Sequence, residues 1–298
     1  MTIDVMFPYY GDVAMMKAAV ASVQAQTYRD FRLVIVDDGF PDPDLPAWFA
    51  QLTAGDDRVE YHRNEVNLGA NGNYRKCVDL VTAPFCVIMG ADDIMLPNYL
   101  QTVADAFAAD DVDIVQPGVE VIDENGAVYE PLGDRVKTVV RARAVGRASR
   151  AVIGGEPLAA SLISANWLYF PSVAWRSDRV KQHNFRQGYD VVQDLALALD
   201  IIMAGGKLLV TDTVCFQYRR HRESDSSVRA LDGRRFAEER AFFDECARDF
   251  ARLGWTGAAR AARVHFSSRL HAVALAPEVV KRRMWPGLGK LARHAVRP

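Results

Sequence analysis

Two pairs of adjacent acids stand out in this chain: Asp37-Asp38, followed by Gly39, and Asp92-Asp93, preceded by Gly90-Ala91. Each follows a short apolar run, residues 33–36 and 85–89, of the kind that makes a strand buried on both faces. In an open parallel sheet, ligands bind beyond the carboxyl ends of the strands, so both pairs fall where a ligand belongs. Carboxylates gathered there repel one another and are costly unless a cation or hydrogen-bond donors neutralise them. A divalent ion bridging to phosphate oxygens resolves this, because Mg²⁺ and Mn²⁺ favour oxygen ligands and are held by one or two carboxylates plus substrate phosphate. One pair alone reads first as a turn former or helix cap. Two pairs on strands of one sheet point to a nucleotide–metal site.

The elements that must position these acids alternate along the first 120 residues. Strand patterns at 3–7, 31–36, 59–62, 85–89 and 112–116 are separated by helical patterns at 13–26, 44–52, 71–81 and 97–108. Asp12 is placed to cap the first helix and Pro97 starts the last. Short connections between alternating strands and helices imply an α/β fold with a mostly parallel sheet flanked by helices. Residues 117–155 lose the rhythm: Asp123-Glu124-Asn125-Gly126 predicts a hairpin turn, and the Arg-rich run 136–155 reads as a mobile loop able to close over a donor. Order returns with a helix near 157–164, an apolar run at 167–175, a helix at 191–203, and strands at 207–210 and 214–218. The remainder is helical, with Phe236, Phe243, Cys246, Phe250 and Leu253 on one stripe.

Composition bounds the class. The 298 residues are 50% hydrophobic and 25% charged with a formal charge of −2, which excludes a disordered or fibrous chain. Four cysteines without C-x-x-C spacing indicate neither a disulfide scaffold nor a zinc knuckle. No apolar run approaches the roughly 20 residues of a membrane span, and the N-terminus lacks a signal-peptide pattern. A cytoplasmic protein is expected, with no nucleic-acid partner. Charge is unevenly spread: residues 257–298 hold nine Lys and Arg against Glu278, a net +8 that leaves −10 elsewhere. An acidic body with a basic tail suggests a tail facing something anionic; a helical extension packed on the body is the other reading.

The order Phe7-Pro8-Tyr9-Tyr10, Ser22 to Tyr28, and Val34-Ile35-Val36-Asp37-Asp38-Gly39 resembles the opening of family 2 glycosyltransferases of the GT-A fold. Asn67-Leu68-Gly69 with Asn73, then Met89-Gly90-Ala91-Asp92-Asp93, Gln193-Asp194-Leu195 and Tyr218-Arg219-Arg220-His221 continue the resemblance, from Thr2 to about Ser227. It implies a glycosyltransferase domain over 1–227, with a nucleotide-binding half to about 117 and an acceptor half beyond, and a helical, basic extension over 228–298. It also implies roles. Pro8 and Tyr10 line the nucleobase pocket, Asn73 belongs to the donor site, and Asp38 accepts from base or ribose. Asp92 holds ribose or shares the metal, Asp93 is the direct ligand of Mn²⁺ or Mg²⁺, and His221 joins it. Asp194 is the general base, with Asp190 as its rival. Trp167, Tyr169 and Gln193 are candidate acceptor contacts, and Arg219 and Arg220 either approach the diphosphate or are solvated.

The chemistry agrees with that map. A nucleoside diphosphate leaves with its charge stabilised by a divalent ion, while one carboxylate deprotonates the acceptor hydroxyl on the opposite face of the sugar. A single displacement with inversion follows, in the manner of a general-base carboxylate at an inverting glycosidase. Two positions depart from the family pattern: Gly90 stands where the first acid of the Asp-x-Asp motif belongs, and Gln193 where Glu is usual. A sugar-nucleotide-binding relative without catalysis is therefore an alternative, as is a nucleotidyltransferase that makes sugar nucleotides. Against the latter, residues 8–14 contain one glycine and no basic side chain. UDP- or dTDP-sugars are the favoured donors, with a glycan or lipid-linked acceptor. The basic C-terminus is read either as a peripheral contact with an anionic membrane surface or as a packed appendage or homodimer contact.

Overall fold

Both acidic pairs emerge from one nine-stranded sheet. A computed structural model describes residues 1–146, 148–220 and 234–281, with 289, 291 and 294. β1 (Ile3–Tyr9), β2 (Phe31–Asp37), β3 (Val59–Arg63) and β4 (Phe85–Ile88) run parallel in the order β3-β2-β1-β4. Residues of β1 and β2 are buried on both faces, which is why their sequences are apolar runs without alternation. Leu33 and Ile35 enter one half of the core, beneath α1 (Val13–Gln24), α2 (Leu45–Gly55) and α4 (Tyr99–Ala109). Val34 and Val36 enter the other, beneath α3 (Gly69–Leu80), α6 (Gly155–Ser164) and α8 (Gln193–Met203). Asp12 caps α1, its carboxylate accepting from the Met15 N–H at 2.8 Å.

Past β4 the sheet becomes mixed. β8 (Ala174–Arg176) lies antiparallel between β4 and β6 (Ile114–Ile122), and β9 (Lys207–Arg219) runs parallel to β6. β5 (Ile94–Met95) and β7 (Arg150–Gly154) pair antiparallel with β9. The two strands expected at 207–210 and 214–218 are therefore one. Its register with β6 slips around Gly118, where a Cβ would meet the backbone of Asp212 and Thr213 at 2.7–2.8 Å.

The largest correction concerns the loop expected at 136–155. Residues there form the helix α5 (Leu132–Val145) and then β7. Val140, Ala144 and Val145 pack on the core, but Val136 and Val139 are exposed beside Arg135 and Arg143, so the apolar stripe is blurred in the sequence. The hairpin turn before it is present: the Asp123 carboxylate accepts from the Asn125 and Ala127 N–H groups, and Gly126 takes φ +86°.

α7 (Ser177–His183) leads toward α8, and the chain continues into α9 (Arg234–Arg252), α10 (Thr256–Val264) and α11 (Phe266–Lys281). Phe242, Phe243, Cys246 and Phe250 of α9 share a core with α8. Glu156 of α6 accepts from the Gly257 and Ala258 N–H groups at 2.6 and 3.2 Å, supplying an anion to the first turn of α10. No helix among the described residues is long and apolar enough to cross a membrane.

Candidate active site

At the carboxyl end of β2, the two acids of the first pair part company. Asp37 is consumed by the fold: its Oδ1 accepts from the Phe40 N–H at 2.8 Å and its Oδ2 from the Tyr61 hydroxyl at 2.7 Å. Asp38 is buried, and its Oδ1 accepts from Asn64 Nδ2 and the Leu68 N–H, both at 2.8 Å. Asn73 stands behind this pair. Its Nδ2 donates to the Val36 carbonyl at 2.9 Å and its Oδ1 accepts from Asn64 at 3.0 Å. It is thus a brace that orients Asn64 and, through it, Asp38. Pro8 is half-buried on β1 opposite Val36. Tyr10, 56% exposed just past β1, meets Phe40 edge-on with ring centroids 5.3 Å apart.

The second pair is built on a backbone made tight by Gly90. A Cβ there would overlap Asp93 Oδ2 and come within 3.1 Å of Asp92 Oδ1. The two carboxylates fill the space where a side chain at position 90 would stand, which is a physical reason for the missing first acid. Asp93 is buried, and its Oδ1 accepts from the Arg219 N–H at 2.8 Å. Among the described residues its Oδ2 is buried without a hydrogen-bond partner. Burial, then the neighbouring Asp92 charge, push the Asp93 carboxyl well above the usual carboxylate range, partly offset by Arg219. Such a buried, unpartnered oxygen beside a second carboxylate fits a divalent cation whose remaining positions are filled by phosphate and water. Among the described residues no three His, Cys, Asp or Glu side chains form a metal cluster. His221 lies outside the described residues.

Arg219 braces this turn. Its Nε donates to the Asp92 carbonyl at 2.7 Å and its Nη1 to the Asp123 and Glu124 carbonyls at 2.9 and 3.2 Å. Arg220 is paired with Asp134 of α5, Nε to Oδ2 at 2.8 Å. Asp134 is buried and also accepts from the Tyr169 hydroxyl at 2.8 Å.

Asp194 occupies the first turn of α8 and is half-buried, with Asn166 Nδ2 3.3 Å from its Oδ2. Burial raises its carboxyl from the ordinary value, opposed by N–H groups of the helix start and by the Lys137 charge. Burial raises the Tyr74 and Tyr218 phenols, and the charges of Asp92 and Asp194 push each in the same direction. Lys137 of α5 donates to the Leu168 carbonyl at 3.0 Å and lies 4.3 Å above the Tyr169 ring. Burial, and then the Arg220 charge, bring its ammonium down to about 8.

Two expected acceptor contacts turn inward instead. Trp167 is 1% exposed in the core, its Nε1 donating to Ser161 Oγ at 3.0 Å. Gln193 is buried; its Oε1 accepts from Asn71 Nδ2 at 2.9 Å and its Nε2 donates to the Asp190 carbonyl at 3.1 Å. That double role needs an amide, since a carboxylate has no donor, and so accounts for Gln where Glu is usual. Tyr169 alone of the three is only half-buried, lying against Lys137, Asp134 and Tyr218. Asp134 and Lys137 escaped the sequence reading because α5 itself did.

Comparison with known proteins follows the same outline. The chain is similar to a crystal structure of S. aureus TarS residues 1–349 in complex with UDP-GlcNAc, with a TM-score of 0.69 at 15% identity, covering 99% of this chain and 82% of that one. It is also similar to the mannosyltransferase PcManGT from Pyrobaculum calidifontis in complex with GDP-Man and Mn²⁺, with a TM-score of 0.59 at 15% identity, covering 99% and 86%. These likenesses show the GT-A fold. In sequence, the Campylobacter jejuni GalNAc(5)-diNAcBac-PP-undecaprenol beta-1,3-glucosyltransferase is 28% identical over 101 residues, 34% of this chain and 32% of that protein. The alignments span less than half the length of such curated relatives. The family model described as glycosyl transferase family 2 matches residues 4–175, more than half of the chain. The acids at the ends of β2 and β4 thus sit in a matched frame, and the protein belongs to glycosyl transferase family 2.

Proposed function

We propose that the protein transfers a sugar from a UDP- or dTDP-linked donor to a hydroxyl of a glycan or lipid-linked acceptor, with inversion at the anomeric carbon. The observation that carries this reading is the buried Asp93 at the end of β4, beside Asp92 in the space left by Gly90, whose Oδ2 has no hydrogen-bond partner among the described residues. Asp38, held by Asn64, Asn73 and the Leu68 N–H, accepts from the base or ribose, while Pro8 and Tyr10 border the nucleobase. Asp93, with Asp92 and His221, holds Mn²⁺ or Mg²⁺, which when bound supplies Lewis-acid stabilisation of negative charge on the diphosphate. Asp194 removes the proton from the acceptor hydroxyl; the acceptor oxygen bonds to the anomeric carbon as the bond to the phosphate oxygen breaks, and the nucleoside diphosphate leaves. The Lys137 charge, with N–H groups of the helix start, opposes the rise that burial imposes on the Asp194 carboxyl. The TarS complex with UDP-GlcNAc and the undecaprenol-linked acceptor in the Campylobacter enzyme's name support this donor and acceptor class.

A thermal-shift series with UDP-, dTDP- and GDP-sugars and Mn²⁺ tests the donor. At 100 times Kd a ligand stabilises by about 2.7 kcal/mol, several degrees for a chain of this size. A UDP- or dTDP-sugar giving the largest shift is expected. A shift with GDP-sugars alone overturns the base assignment, and no shift with any of them overturns the donor reading.

The acceptor reading extends to an anionic membrane surface on its cytoplasmic side. Arg260 and Arg263 are exposed on α10, and Val264, Leu270 and Val273 are 46–57% exposed on or beside α11. A basic face carrying exposed aliphatic side chains suits an anionic headgroup region. The full chain is expected to float with vesicles containing phosphatidylglycerol and not with phosphatidylcholine alone, and L270S with V273S to lose flotation. No flotation of the full chain, or a stable dimer lost in the double variant without any flotation, removes the membrane reading, and equal flotation of both proteins removes Leu270 and Val273 from it.

A further inference from the structure

Glu238 of α9 reaches the segment that precedes the base. Its Oε1 accepts from three successive backbone N–H groups: Asp190 at 3.0 Å, Val191 at 2.6 Å and Val192 at 2.9 Å. Val192 is the residue immediately before α8, and the start of a helix leaves N–H groups without intrahelical partners. One carboxylate oxygen therefore gathers the donors leading into the helix, where negative charge is also favoured by the helix dipole.

The same segment is held on two further sides. Tyr189 donates its hydroxyl to Glu245 of α9 at 2.7 Å and meets Phe242 edge-on at 5.6 Å. Arg186 pairs with Glu245 at 2.9 Å and with Asp200 of α8. Gln193 ties the Asp190 carbonyl to Asn71 of α3. Asp194 follows directly, and the bond to its own carboxylate from Asn166 is long at 3.3 Å. Its placement thus depends more on backbone anchoring than on side-chain contacts.

We infer that Glu238 is a positioning residue for Asp194: by clamping the N–H groups of residues 190–192 it fixes the turn of α8 that carries the Asp194 carboxylate. This rests on the reading of Asp194 as the general base. It makes α9, which lies beyond the family match at 4–175, part of the catalytic apparatus. A base displaced by an ångström or so loses much of its effect, because proton removal requires hydrogen-bond reach.

The test uses the full chain and its E238A and E238Q variants. Amide hydrogen exchange at residues 190–194 is expected to accelerate in E238A while the amides of β1 to β4 stay unchanged. Release of UDP from UDP-glucose and UDP-GlcNAc with Mn²⁺ should fall about 10-fold in E238A, with UDP affinity held within about two-fold. E238Q, which keeps an acceptor oxygen, should recover most of the rate. In a D194N background E238A should cost nothing further, because the two residues act as one unit. Unchanged exchange at 190–192, a parallel fall in UDP affinity, or equal fractional losses in both backgrounds each overturn the inference. If D194N alone turns over at the wild-type rate, the base assignment fails instead, and the clamp is reduced to a structural brace. If the wild-type chain releases no UDP from either sugar, the donor reading fails and the exchange measurement alone decides the clamp.

Discussion

D194N is expected to lower glycosyl transfer by roughly 10²–10⁴-fold, the usual worth of general-base assistance, while UDP affinity stays within about two-fold. Asparagine nearly matches aspartate in shape, and its carbonyl oxygen can still accept from Asn166, so the fold around α8 is retained. The titration of Asp194 gives the prediction a sign. Burial raises its carboxyl, so ionising it in the folded state costs stability, and transfer should rise with pH through that raised value. A group raised on folding contributes stability below its unfolded value and loses it as pH rises through the folded one. D194N therefore costs no stability at neutral pH. Lys137 works in the opposite direction, since its positive charge favours the ionised base. K137M should move the acid limb of the transfer profile upward by roughly half a unit to one unit, the effect of one charge across a partly solvated gap. Because the Lys137 ammonium titrates at about 8, its support fades above that pH, and K137R should extend it. Transfer by D194N near the wild-type rate, or an acid limb unmoved in K137M, would contradict this scheme.

Much of the frame was legible because β1, β2 and β4 are buried on both faces, and such strands leave an unmistakable apolar run. Acids ending those runs could be assigned to the ligand edge of the sheet from chain order alone. Direction was harder to read. Trp167 and Tyr169 lie two residues apart, yet one is sealed in the core and the other is half-buried beneath Lys137. Nothing in their types distinguishes them, because α6 behind Trp167 and α5 above Tyr169 make the difference. Gln193 and Asn73 are polar residues used to brace backbone and neighbouring amides, each with one partner more than 30 residues away. α5 was hidden by exposed valines that break its stripe, and with it went Asp134 and Lys137. Gly90 reads as a lost carboxylate in the sequence; in three dimensions it is the space that Asp92 and Asp93 fill.

The crowding at Gly90 leads to a prediction in which activity and stability move in opposite directions. D93N should lower transfer by roughly 10²–10³-fold, consistent with the several kcal/mol that a Lewis acid contributes at a developing charge. Its residual activity should no longer respond to Mn²⁺ or to chelation by EDTA, whereas chelation should lower wild-type transfer to a similar level. In the metal-free protein the same substitution should raise Tm by roughly 2 °C, about 1 kcal/mol for a chain of this length. The reason lies in the bonds that survive. Asparagine keeps an oxygen for the Arg219 N–H that Asp93 Oδ1 accepts, and it removes a buried charge beside Asp92. The cost of burying that charge, and its repulsion by the neighbouring carboxylate, are relieved. Functional sites commonly retain such strain at the expense of stability. A fall in Tm of the metal-free variant, or a Mn²⁺ response preserved in D93N, would place the metal contact elsewhere than the Asp93 oxygen.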